Sequence, residues 1–232
     1  GAGSRHKRPA PPGTAARRAS PPPDDMGPPL PPGPLGHPYK APEKPPRVVV
    51  ELFHDLCCPF SKKMMTTLKE VAPAFEASHP GQVQWLFCNV IQPWHPQSCM
   101  MHEACLAVSA VKPDAVWAFC WGLLDKQEKF FDDQVMDKSR KQLYEELAEI
   151  AEEAAGVPKA EVLSKLQTTG EGNSGSQVTQ LVKWYTKMHR VRGVHVTPTV
   201  FVNGTEAPQV GSGWSAEEWK GFLDPMLGAS AL

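Results

Sequence analysis

Between Arg47 and Val90 the chain runs from strand to helix to strand with little room for loops, and this order restricts the fold more than any other feature. Arg47–Phe53 (RVVVELF) is short, β-branched and mostly apolar, the pattern of a buried strand. After a Cys57-Cys58-Pro59 turn, Met64, Met65, Leu68, Val71 and Phe75 recur at helical spacing. That spacing predicts an amphipathic helix from about Pro59 to Ala77, stopped by His79-Pro80-Gly81. Val83–Val90 (VQWLFCNV) is apolar on both alternating faces, as a central parallel strand requires. Two such strands joined by one helix imply a right-handed crossover.

From about Ser98 to Val191 the pattern is helical throughout, broken at Pro113-Asp114, Asp132-Asp133, Gly156-Val157-Pro158 and the glycine-rich loop 170–175. Lys141–Ala155 carries Leu143, Leu147 and Ile150 on one face, and its glutamates read as a solvated face. Gln177–Val191 is the last helix of this group. Period two then returns in Thr199–Val202, followed by the hairpin signal Asn203-Gly204 and a partner strand expected near Gln209-Val210. Ser215-Ala216-Glu217-Glu218 resembles a capping box and opens a terminal helix with Trp219, Phe222 and Leu223 inside. The Asn203-Gly204-Thr205 sequon is explained by the same hairpin turn without a glycan.

Ahead of this domain lies a different kind of chain. Fifteen of the 25 prolines precede Arg47, so residues 1–46 are expected to be a disordered tail of polyproline II character. A plain linker is the simplest reading. Pro28-Pro29-Leu30-Pro31-Pro32-Gly33-Pro34 would also suit a polyproline-reading domain as partner, and Ser20 after Arg17-Arg18 a kinase. The expected domain spans 47–228, with the helical insertion at about 98–191.

A formal net charge of −1 gives no general pull toward nucleic acid or anionic membranes. No apolar run approaches the roughly 20 residues of a bilayer span. The sequence starts on Gly1 rather than Met, so a leader cut from it stays open and the compartment is undetermined. Six cysteines at these spacings do not form a disulfide framework, which favours a reducing compartment over an oxidising one.

The chemistry is concentrated in Phe53-His54-Asp55-Leu56-Cys57-Cys58-Pro59-Phe60-Ser61. A cysteine at a helix start faces unpaired N–H groups and the positive end of the helix dipole, which favour the nucleophilic thiolate. Pro59 suits the first helical position, where an N–H has no partner. Cys58-Pro59-Phe60-Ser61 is similar to the Cys-Pro-x-Cys turn of DsbA-like oxidoreductases, and Gly193–Gly204 looks like that family's cis-proline loop and hairpin. The resemblance covers about residues 47–226. It implies a thioredoxin fold (α/β; βαβ … ββα) with an inserted helical subdomain.

What the resemblance implies for the site is specific. Cys58 becomes the nucleophile and Ser61 takes the place of the resolving cysteine. Pro59 and Phe60 line the turn, Pro198 is the cis-proline and Thr197 precedes it. Serine cannot attack a mixed disulfide, so the expected activity is thiol–disulfide exchange through a single cysteine, with a thiol or disulfide substrate. No bound cofactor is expected, and glutathione is the candidate co-substrate. Ser61 is a candidate hydrogen-bond donor to Cys58. Two other readings stay open: a non-catalytic peptide-binding module, and a relative of kappa-class glutathione transferases, which usually carry serine where this chain has Cys58.

The remaining thiols divide into candidate helpers and core residues. Cys57, Cys99 and Cys105 are candidate remote resolving thiols; a Cys57–Cys58 bridge is disfavoured by its strained ring. Cys88 and Cys120 read as small core residues. Cys99-x-x-His102-x-x-Cys105, with His95 before it, has metal-ligand types, but residues i and i+6 lie on different sides of one helix, so no metal is expected. His54 and Asp55 are candidates to tune Cys58, with a hydrogen-bonded strand-end role as the alternative.

Overall fold

The computed structural model describes residues 29–228, together with Gly1. A mixed sheet of five strands has the order β1-β3-β2-β4-β5, formed by β1 (His37–Pro38), β2 (Val48–His54), β3 (Val83–Asn89), β4 (Thr199–Val202) and β5 (Thr205–Glu206). β2 and β3 pair in parallel, from Val48 opposite Val83 to His54 opposite Asn89, and α1 (Pro59–Ser78) crosses between them. β4 runs antiparallel on the other side of β2. The strand apolar on both faces is therefore internal, and its side chains supply two cores. Val50, Leu52, Trp85 and Phe87 pack with Met65 and Leu68 of α1 and with Trp219 of α8 (Ala216–Gly228). Phe53, Cys88, Val90 and Phe201 form the smaller cluster of the opposite face, against Met188 of α7 (Thr179–Val191).

The insertion comprises α2 (Ser98–Val111), α3 (Val116–Asp125), α4 (Asp132–Val135), α5 (Arg140–Ala155), α6 (Lys159–Leu166) and α7, with 3-10 turns at Pro113–Ala115 and Gln127–Phe130. Close approach of α3 to α5 depends on Gly122, where a Cβ would lie 2.2 Å from Ala154 Cβ. Ser139 caps α5 in a reciprocal box with Gln142, and Ser215 does the same for α8, donating its N–H to Glu218 Oε2 at 2.7 Å.

Two expectations are corrected. The partner of β4 is Thr205–Glu206 rather than Gln209-Val210. Asn203 and Gly204 both adopt positive φ (50° and 81°), so they close a two-residue turn that sets the next two residues directly opposite Val202 and Phe201. Ordered structure also begins before Arg47. His37 and Pro38 pair antiparallel with Phe87 and Leu86 on the β3 edge, and Trp117 Nε1 donates to His37 O at 2.8 Å. Leu35 and Tyr39 pack on the core, giving this stretch apolar side chains that a plain proline spacer lacks. Trp184 Nε1 hydrogen-bonds the Pro29 carbonyl, so the described end of the proline run lies on α7 of its own chain. Ser20 and Pro21–Pro23 lie outside the described residues. Among the described residues no helix is long and apolar enough to cross a membrane.

Candidate active site

β2 ends in the interior and the chain turns through Asp55-Leu56-Cys57 before α1 begins at Pro59. This delivers Cys58 to the N-cap of α1 in an extended conformation (φ −75°, ψ 123°) with Pro59 at the first helical position. The residue is buried, with 6% of its surface exposed. Facing it is the loop before β4, whose Thr197–Pro198 peptide bond is cis. Cys58 Sγ lies 3.3 Å from the Thr197 carbonyl oxygen, to which the thiol donates. The structure thus brings Cys58, Thr197 and Pro198 together. Pro59 and Phe60 lie on the outer rim, Phe60 with 61% of its surface exposed.

Ser61 does not reach Cys58 with a hydrogen bond. Its side chain is completely buried and Oγ has no hydrogen-bond partner among the described residues. The expectation that Ser61 would donate to Cys58 is corrected accordingly: one turn into α1, Oγ is buried and unpaired.

The other candidate thiols point elsewhere. Cys57 faces the insertion, where Gln97 Nε2 donates to its Sγ at 3.1 Å and the Phe130 carbonyl lies 3.9 Å away. Burial, and next the charge of Asp55, push the Cys57 thiol up to about 12. Cys105 faces Cys120 across the α2–α3 interface, Sγ to Sγ 3.8 Å, both fully buried. Cys99 is half-buried on α2, and burial raises its thiol. Among the described residues no group of three or more His, Cys, Asp or Glu side chains is arranged to hold a metal ion.

The turn is held from beneath by a polar cluster. Asp55 is fully buried, and its Oδ1 accepts from Cys57 N at 2.8 Å and Ser98 Oγ at 2.7 Å, while Oδ2 accepts from Gln92 N at 3.2 Å and His95 Nδ1 at 2.8 Å. Burial pushes the Asp55 carboxyl up, but His102, His95 and the Cys57 N–H more than offset this and hold it at about 2. Asp55 also binds the nucleophile's backbone, its carbonyl accepting the Cys58 N–H at 3.1 Å. Gln127 clamps the turn from the insertion, donating to the carbonyls of Leu56 (2.8 Å) and Cys58 (3.0 Å).

His102 extends the cluster inward. Its Nε2 lies 3.1 Å from the Leu56 nitrogen and its Nδ1 2.7 Å from Asn89 Oδ1. Asn89 Nδ2 lies 2.8 Å from His37 Nε2, and the Tyr185 hydroxyl is 3.0 Å from the same nitrogen. Asp55 was singled out in the sequence because it precedes the turn. Gln97, Gln127 and Asn89 carried no signal, since a single amide in a helix or at a strand end looks like any solvated polar residue.

The thioredoxin family model matches residues 43–225. The chain belongs to the thioredoxin family. Its fold, with helices inserted between the two halves of the sheet, matches that of DsbA-like structures. A candidate protein-disulfide isomerase from Pseudomonas syringae superposes with a TM-score of 0.62 at 23% identity, covering 77% of this chain and 94% of that one. BdbD from Bacillus subtilis, in its oxidised form, gives 0.59 at 19% identity over 81% and 91% of the two chains. The thiol-disulfide exchange protein alpha-DsbA2 from Wolbachia pipientis gives 0.57 at 14% identity over 80% and 85%. No curated protein matches the chain.

Proposed function

We propose that this DsbA-like domain carries out thiol–disulfide exchange through Cys58 alone, with glutathione or a similar small thiol as co-substrate. The observation that carries this reading is the isolation of Cys58. Its Sγ meets the Thr197 carbonyl, while Cys57 faces Gln97 and Cys105 faces Cys120. The Cys58 thiolate attacks a substrate disulfide, forms a mixed disulfide and releases one substrate thiolate. An external thiolate then attacks that adduct, leaves with the bound half as a new disulfide and returns Cys58 as thiolate. The name of the Wolbachia neighbour, a thiol-disulfide exchange protein, is in keeping with this chemistry.

The non-catalytic alternative draws on one observation: Phe60, Trp94 and Val196 are each more than half exposed, forming apolar surface beside the turn where a peptide would bind. Incubation with oxidised glutathione followed by intact-mass analysis and peptide mapping separates the two readings. One glutathionyl group on Cys58, absent from Cys58→Ser, is expected. An unmodified Cys58, with peptide binding unchanged in Cys58→Ser, would replace the exchange reading with the binding module.

A further inference from the structure

An incoming thiol must lose its proton before it can release an adduct from Cys58, and Ser61 offers no second thiol for this work. The structure holds a histidine for it at the rim. His95 Nδ1 is bound to the buried Asp55 carboxylate at 2.8 Å, and its Nε2 has no hydrogen-bond partner among the described residues. The side chain retains 20% of its surface. A carboxylate fixing one ring nitrogen and leaving the other toward solvent is the arrangement of an oriented acid–base imidazole.

A closed ring of contacts ties this imidazole to Cys58. Asp55 binds His95 through its side chain and the Cys58 N–H through its carbonyl (3.1 Å). On the far side, Trp94 packs edge-on against both His95 (6.2 Å) and His195 (6.4 Å). His195 lies two residues before Thr197, whose carbonyl meets Cys58 Sγ at 3.3 Å. Gln92 closes the ring from below, giving its N–H to Asp55 (3.2 Å) and its side-chain amide to the His195 carbonyl (3.1 Å). The charged or titratable groups around His95 are therefore Asp55 from the turn, His102 from α2 (3.6 Å from Asp55 Oδ1) and His195 from the cis-proline loop.

We propose that His95, oriented by Asp55, is the acid–base group that deprotonates the small thiol releasing adducts from Cys58. The proposal rests on the single-cysteine reading above. His95 Nε2 takes the proton of the incoming R–SH; the resulting thiolate bonds to the adduct sulfur as the Cys58 S–S bond breaks. The proton on His95 then returns to the departing Cys58 sulfur or to water. Electrons balance, because one disulfide is consumed and one is formed.

The test installs the adduct chemically, so that it does not depend on glutathione being the natural partner. In a Cys99→Ser background, Cys58 is activated with 5-thio-2-nitrobenzoate and converted to its mixed disulfide with glutathione, so that attack on the adduct sulfur makes Cys58 the leaving group. Return of the free Cys58 thiol on adding glutathione is followed by acid quench and intact mass from pH 5.5 to 9.5, for the parent and for His95→Gln. Free thiols have pKa near 8.5, so unassisted release falls about tenfold per pH unit below that value. His95→Gln is expected to follow this slope, while the parent falls less steeply and is about tenfold faster at pH 6. The two converge at pH 9.5, and added imidazole speeds His95→Gly at low pH. Parallel pH profiles, with equal melting temperatures, would overturn the proposal. Failure of oxidised glutathione to label Cys58 would instead count against the single-cysteine reading and leave this rate comparison standing.

Discussion

Asp55 and Cys57 are joined from side chain to backbone, the Oδ1 of one accepting the N–H of the other at 2.8 Å inside the fold. The same carboxylate receives Ser98, Gln92 and His95, so it links the β2–α1 turn, the loop after β3 and the first helix of the insertion. Asp55→Asn replaces an acceptor oxygen with an amide that faces these donors. The unpaired groups left behind are expected to lower stability by about 2–4 kcal/mol. A urea midpoint within error of the parent, at unchanged m-value, would show that the cluster is not structural.

Acid should loosen this protein well before ordinary carboxylates titrate. Burial, and next the neighbouring His102, lower His37 and His54 to about 3, from an ordinary 6.5. A histidine whose folded pKa is depressed contributes its full stability above about pH 6.5. That contribution is lost as pH falls, by about 1.4 kcal/mol per pH unit for each such group, until the folded pKa is reached. Asp55, held at about 2 against 3.8, adds a loss of the same sign between those values. Urea midpoints are expected to be flat above pH 7 and to fall steeply from pH 6 to 4.5. His54 stacks on Phe87 at 5.6 Å with neither ring nitrogen bonded, so His54→Phe should flatten that fall. An unchanged slope in the variant would exclude His54 as a source.

Much of this was legible in the chain, for physical reasons that also explain the misses. β2, α1 and β3 were readable because each buries an apolar face with its own period. Cys58-Pro59 marked the helix start because proline tolerates few other helical positions. β5 was misplaced because a two-residue strand has no period to detect, and only the turn geometry sets its register. His37-Pro38 was hidden inside a proline-rich stretch; its pairing depends on an edge supplied by β3 and on Trp117 and Tyr185, far along the sequence. The Asp55 cluster is assembled from three separate segments, which no local pattern could bring together.

Gly122 offers a test of packing between α3 and α5. A Cβ there would lie 2.2 Å from Ala154 Cβ, which belongs to a helix and cannot swing aside as a long side chain does. Gly122→Ala gains helix propensity, worth up to about 1 kcal/mol, yet the forced separation of the helices should outweigh it. The expected net loss is about 1–3 kcal/mol in chemical denaturation. Paired with Ala154→Gly, which removes the opposing methyl, the loss should shrink markedly; equal losses in the single and double variants would place the strain elsewhere.

Ser61 is the residue that separates this turn from a two-cysteine one, and its buried, unpartnered hydroxyl makes substitution informative. A thiol demands less of its surroundings than a hydroxyl does, so Ser61→Cys should be neutral or stabilising by up to about 1 kcal/mol. It also places a second sulfur three residues after Cys58, where its thiolate can attack an adduct from within the molecule. Oxidation of Ser61→Cys is expected to consume two thiols without adding mass from the oxidant, and glutathione should no longer accumulate on Cys58. Reduction of a protein disulfide such as insulin by the pre-reduced variant should then proceed without added small thiol, whereas the parent requires it. If Ser61→Cys still accumulates the Cys58 adduct and still depends on an external thiol, the side chain at position 61 is too deeply held to resolve it. The single-cysteine character of the site would then be fixed by packing rather than by the missing sulfur.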